Sequence, residues 1–347
     1  MNASHEHIDA PPTGRSVEPS AEADAAAAPP HRPTRPALRR RAAALRSGLR
    51  RYPPELFASA IRRGGLGGDA ARRMLDELHP HALALAWLGH ASVTGTIDDL
   101  TFAVDPVLSE RIGPRVFGRT WGLSRKQTAP VRPEALKGVE LVLLTHAHFD
   151  HLDRATLAGM ASKDTVVVAP KRCRSLVPRG FADVVELDHG DTTSLGCATI
   201  TAVPPKHWGA RMVLDRKRGA NMYAMTCSGV RILLAGDTGM TDSPTDHGPF
   251  DLAVFGIGAY EPWEHMHATP EQVWRMFERA GAELLLPVHH STFALSDEPA
   301  DEPMHRLLKA AGPDANRVLR AAVGEVIVLP NPGGAVNSDA GAPPGVP

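Results

Sequence analysis

Between residues 83 and 330 the chain alternates short apolar runs with clusters of Gly, Pro, Asp and Asn. Runs of this length and β-branched content read as strands. They are LALAWL (83–88), LTFAVD (100–105), VELVLLT (139–145), TVVVA (165–169), DVVEL (183–187), CATITAV (197–203), NMYAMTC (221–227), VRILLAG (230–236), DLAVFGI (251–257), ELLLPV (283–288) and GEVIVL (324–329). Helical spacing is confined to residues 154–162, 171–176, 270–280 and 304–311. The third carries start signals, with Thr269 as N-cap, Pro270 at the first position and Gln272 closing a capping box. Many strands with a few helices between them predict an α+β fold of two sheets covered by helices.

The flanks lack this pattern. Residues 1–36 and 331–347, rich in Ala, Pro and Gly without a period, read as a disordered extension and a disordered tail. Residues 37–82 read as a basic, partly helical arm. In residues 37–52, Leu38, Ala42, Leu45 and Leu49 recur at helical spacing, and eight arginines with no acid lie between His31 and Tyr52. Such a helix suits peripheral contact with an anionic membrane surface, or stands as a solvated arm.

Composition narrows the function classes. The 347 residues carry a formal net charge of −1, which argues against nucleic acid as partner because phosphate neutralisation needs a basic face. Cys173, Cys197 and Cys227 show no CxxC spacing and read as idle thiols in a reducing compartment. No run reaches the roughly 18 apolar residues of a membrane span, and no secretory signal stands at residues 1–30. A cytoplasmic protein, peripheral at most on the inner face of the membrane, is the expectation.

The chemistry concentrates in THAHFDHLD, residues 145–153. On an extended chain His146 and His148 project to one side. Asp150 and His151 follow where the chain turns toward a helix that Asp153 would cap. Imidazole and carboxylate together suit zinc, and equally manganese or iron. More donors stand after other strands: His207 in PPKHWGAR, Asp237 in AGDTG and the pair His289–His290 in PVHHSTF.

This set resembles the metallo-β-lactamase fold, a four-layer αββα sandwich with a binuclear metal site at one edge. WLGHAS (87–92), VDPVLSERIGP (104–114), IGAYEP (257–262), MHATPEQV (266–273) and HSTFALSDEP (290–299) are similar to the branch containing N-acylphosphatidylethanolamine-hydrolysing phospholipase D and its bacterial relatives. The resemblance implies two divalent ions, zinc foremost. His146, His148 and His207 would hold one; Asp150, His151 and His289 the other; Asp237 would bridge them. It implies that Asp150, Asp237 and His267 serve catalysis, that Tyr260, Glu261, Trp263 and Arg211 meet substrate, and that His90 is structural or an outer neighbour of the site. His189, His247, His265 and His305 read as surface.

The implied reaction is phosphodiester hydrolysis of an N-acylated phosphatidylethanolamine by a metal-bridging hydroxide, releasing N-acylethanolamine and phosphatidic acid. Asp150 would orient the hydroxide and pass its proton to the departing alkoxide. Two departures bear on substrate: Phe149 where relatives often carry Tyr, and Trp263 where the best-known members have Arg. They favour one alternative, a cytoplasmic lactonase or small phosphoester hydrolase on the same site. A non-catalytic metal-binding sensor or scaffold is the other.

Overall fold

The computed structural model describes residues 68–78, 83–212, 215 and 217–329. The stretches read as the extension 1–36, the basic helical segment 37–52 and the tail 331–347 lie outside them.

The first sheet has seven strands: β1 (Leu83–Gly89), β2 (Ser92–Ile97), β3 (Leu100–Val104), β8 (Leu141–Leu143), β9 (Val166–Pro170), β10 (Asp183–Leu187) and β17 (Val326–Val328), in the order β10-β9-β8-β3-β2-β1-β17. Between β3 and β8 the chain makes two small antiparallel pairs. β4 (Arg111–Ile112) pairs with β7 (Leu123–Ser124), and β5 (Arg115–Val116) with β6 (Arg119–Thr120). The second sheet runs β11 (Thr192–Leu195), β12 (Ala198–Val203), β13 (Met222–Cys227), β14 (Val230–Leu234), β15 (Phe250–Gly256) and β16 (Ala282–Val288) in sequence order. Hairpin-joined strands pair antiparallel and helix-crossover neighbours such as β8 with β9 and β15 with β16 pair parallel, while β17 returns from the far end of the chain to pair antiparallel with β1.

Period two divides each strand between two cores. On β1, Leu83, Leu85 and Trp87 face the second sheet and pack with Ile200, Tyr223, Ile232 and Leu252. Ala84, Ala86 and Leu88 face outward, under helices α1 (Gly68–Leu78) and α2 (Arg154–Met160), through Met74, Leu78, Leu157 and Met160. The outer face of the second sheet, with Leu233, Ala253, Phe255 and Leu285, lies under α3 (Pro270–Arg279) and α4 (Glu302–Ala311). The layers are therefore αββα, as the resemblance implies. Both cap expectations hold: Asp153 accepts from the Ala155 amide, and Thr269 with Gln272 forms the capping box.

Four features differ from the sequence reading. Helix α1 lies inside the stretch read as an arm, yet Met74 and Leu78 are buried against the first sheet. Residues 171–176 form only a short 3-10 turn, Arg174–Leu176, because Arg172 sits at φ 67° and interrupts helical geometry. Strands β2 and β11, whose runs SVTGTI and TTSL are rich in Thr and Ser, escape an apolar criterion. Finally, Cys197 and Cys227 are not idle thiols but form a disulfide across β12 and β13, leaving Cys173 buried and free. That pairing removes thiol chemistry as an argument for a reducing compartment. Among the described residues no helix is long and apolar enough to cross a membrane.

Candidate metal centre

The donors gather where strand ends from both sheets meet. The loop after β8 brings His146, His148, Asp150 and His151; the loops after β12, β14 and β16 bring His207, Asp237 and His289. Asp237 lies at the centre. Its Oδ2 is 3.1 Å from His151 Nε2, 3.7 Å from His146 Nε2 and 3.8 Å from His207 Nε2; its Oδ1 is 3.2 Å from His289 Nε2. Three overlapping donor groups stand here, each within 4.8 Å: His146, His148, His207 and Asp237; His90, Asp150, His151 and His289; and Asp237, His267 and His289. All seven expected ligands fall in these groups, with His90 and His267 beside them.

Backbone geometry fixes these positions. His289 at φ 61° and His90 at φ 54° are left-handed non-glycine residues, joined by a hydrogen bond from the His289 amide to the His90 carbonyl (2.9 Å). Clustered backbone strain of this sort marks sites whose geometry the surrounding structure over-determines. Gly236, at φ 54°, lies so close that an added Cβ would sit 2.7 Å from Thr145. It lets the Asp237 loop approach the His146 loop.

Hydrogen bonds set which imidazole nitrogen faces inward. His146 Nδ1 lies 3.0 Å from Thr145 Oγ1, and that hydroxyl donates to Asp105. His151 Nδ1 donates to Asp105 Oδ2 at 2.7 Å, and His207 Nδ1 to the Met266 carbonyl at 3.1 Å. With Nδ1 carrying the proton, each Nε2 is a bare acceptor. His148 turns Nδ1 inward instead, 2.9 Å from His146 Nε2 and 3.3 Å from His207 Nε2. Three imidazole nitrogens thus converge at close range. His151 Nε2, His289 Nε2 and Asp237 Oδ1 are buried and have no hydrogen-bond partner. Buried polar atoms without partners are costly, and a divalent cation is the species that would satisfy lone pairs converging from all sides. The residues fit a metal.

Electrostatics agree. Burial, with neighbouring imidazoles, holds His146 and His207 well below the ordinary histidine range, so their nitrogens are free to ligate. Burial also opposes charge on His151 and His289, but nearby carboxylates outweigh it. Asp237, Asp105 and Asp150 raise His151 well above its usual value, and Asp237 and Asp150 lift His289 to about 9. That surplus negative potential is what a cation would meet in place of protons.

The structure also places the remaining candidates. His267 lies beside the centre, Nδ1 3.9 Å from Asp237 Oδ2, with burial lowering it to about 4. His290 turns away and stacks on Trp87 at 4.9 Å. Two of the four expected substrate contacts are engaged by other parts of the protein. Tyr260 is buried, its hydroxyl donating to Glu302 Oε1 at 2.8 Å. Arg211 gives Nη1 to the carbonyls of Ala147 and Leu152 and lies 4.0 Å over the Phe149 ring, so it braces the donor loop. Glu261 is exposed beyond Tyr260, its amide donating to Glu298. Trp263 is half-buried and pairs with the His265 ring. Sequence reasoning missed Asp105. It is buried, holds Thr145 and His151 from 40 and 46 residues away, and was visible only as an acid closing an apolar run.

Comparison with known proteins places this geometry among relatives. A family model described as a beta-lactamase superfamily domain matches residues 101–290. An uncharacterized protein of Mycobacterium tuberculosis is 34% identical over 266 residues, covering 71% of this chain and 66% of its own length. The chain thus spans just under two thirds of that relative. N-acyl-phosphatidylethanolamine-hydrolyzing phospholipase D 1 of Caenorhabditis elegans is 28% identical, covering 65% of this chain and 70% of its own. In structure, the metallo hydrolase Igni18 of Ignicoccus hospitalis is similar with a TM-score of 0.54 at 18% identity, over 72% of this chain and 99% of its own.

Proposed function

The chain belongs to the beta-lactamase superfamily, and from that premise we propose that it is a metal-dependent hydrolase, a phosphodiesterase of the phospholipase D type acting on N-acylphosphatidylethanolamine-like lipids with two divalent ions, zinc foremost. The observation that carries the reading is the set of overlapping donor groups meeting at Asp237, whose inward nitrogens and oxygens are bare acceptors. The similarity to the nematode phospholipase D, and to a mitochondrial one of Saccharomyces cerevisiae at 28% identity, supports the substrate class.

His146, His148 and His207 would hold one ion, Asp150, His151 and His289 the other, and Asp237 both. Bound there, the ions would supply Lewis acidity toward a phosphoryl group and activation of water. The chain's own groups do the rest. Asp150 is the more open carboxylate, its side chain 13% exposed against 2% for Asp237, so it is the one placed to take the proton of the attacking water and pass it to the departing alkoxide. His90 holds it through Nε2 to Oδ2 at 3.0 Å. His267, neutral at pH 7, offers substrate a hydrogen bond rather than a charge.

The test is turnover by the metal-loaded protein on N-acylphosphatidylethanolamine vesicles, a small soluble phosphodiester and a lactone panel. Release of phosphatidic acid is expected. Lactone or carboxylic-ester turnover with the lipid untouched would overturn the reading in favour of a lactonase.

A further inference from the structure

Six large apolar side chains are exposed among the described residues: Val116, Phe117, Trp121, Trp208, Met212 and Val328. Five of them stand on two loops beside the metal centre. Val116, Phe117 and Trp121 belong to the β5–β6 hairpin; Trp208 and Met212 follow the donor His207. Both loops are rooted on Phe149, inside the donor loop. The hairpin's base, Ile112 and Leu123, packs in a cluster with Phe149 and Phe293, and Arg211 of the other loop covers the Phe149 ring.

The hairpin tip is unusual. Arg115 faces Thr120 and Val116 faces Arg119, leaving a two-residue turn of Phe117 at φ 50° and Gly118 at φ 76°. A turn with both central residues left-handed prefers Asn or Gly at its first position. Phenylalanine there is fully exposed and conformationally disfavoured, so it contributes nothing to the fold that would explain its presence. Charge at the tip has one sign, carried by Arg115 and Arg119, while the exposed Glu110 stands at the base beside the buried Arg125. Arg111, Arg115, Arg119, Arg125 and Lys126 lie in residues 111–126 with no acid, and Arg115, Arg119 and Lys126 are exposed.

We infer that the β5–β6 hairpin, with Trp208 and Met212, docks the mouth of the metal centre onto an anionic lipid bilayer. Phe117 and Trp121 enter the interface while Arg115 and Arg119 meet the headgroups. The choice of a bilayer as partner rests on the lipid reading of the site, and the surface is separate from the basic stretch 37–52.

The experiment is cosedimentation of the full, metal-loaded chain with vesicles of phosphatidylcholine alone or with added phosphatidylglycerol. The wild-type protein binds the anionic vesicles. Phe117→Asn with Trp121→Ser weakens that binding about tenfold or more at an unchanged melting temperature, since Asn-Gly suits the turn. Arg115→Gln and Arg119→Gln each weaken it about fivefold and flatten its salt dependence. Wild-type binding that is absent, or equal in the Phe117 variant, overturns the inference, as does Phe117-dependent self-association without vesicle binding. If the hairpin governs vesicle binding while N-acylphosphatidylethanolamine is never cleaved, the docking surface stands and the substrate reading falls.

Discussion

The two halves of the metal centre are held in different ways. In the first, His207 is fixed by a main-chain carbonyl and His146 by the Thr145 hydroxyl. In the second, buried charge does the holding: Asp105 on His151, and His90 on Asp150. Within the centre, the partnerless buried atoms other than that of the shared Asp237 also belong to the second half, in His90, His151 and His289. A main-chain carbonyl orients an imidazole without adding net charge, whereas a carboxylate behind it raises its basicity. The second half is thus built for the stronger hold on a cation and is the more exposed to loss of an outer partner.

The sharpest test of that difference is Asp105→Asn. It turns one of the two oxygens that accept from Thr145 and His151 into a donor, and because Thr145 in turn positions His146 it is expected to weaken both metal affinities, that of the His151 half the more, by about 10–100-fold. Metal titration followed by calorimetry, with metal content per chain, measures it; equal weakening of both would break the comparison. Gly236→Ala acts on both halves at once. Its Cβ would meet Thr145 at 2.7 Å from a left-handed backbone, so a loss of about 1–3 kcal/mol is expected, read from denaturant unfolding of the metal-free protein. The smallest effect belongs to a pair remote from either half. Arg306 holds Glu271 down at about 2, against an ordinary 4.5. A carboxylate whose folded value is depressed contributes stability above its ordinary value and loses it as pH falls from about 4.5 toward 2. Exposed as the pair is, Glu271→Gln should cost about 1 kcal/mol or less at pH 7. The difference from wild type should vanish near pH 2, as melting temperatures across that range would record.

The donor loop was legible because its ligands are nearly consecutive, and His207, Asp237 and His289 because each closes an apolar strand. The layered fold was legible from eleven such runs. What escaped depends on contacts across long stretches of chain. Asp105 is an ordinary acid before proline until the fold brings β3 beside β8. Two expected substrate contacts show the same dependence: Tyr260 is turned inward by Glu302, 42 residues away, and Arg211 is held by carbonyls 59 and 64 residues away. The left-handed Phe117 leaves no mark in hydrophobic pattern, since its oddity is a dihedral angle.

The donors from His146 to His289 arrive from four separate loops across both sheets, so no local stretch of the unfolded chain can assemble them. A cation bound there acts as a clasp between the sheets. It favours the native state alone, by about 2.7 kcal/mol at a hundredfold excess over its dissociation constant. Chelation is therefore expected to loosen the β-sandwich at the same edge where the chemistry occurs.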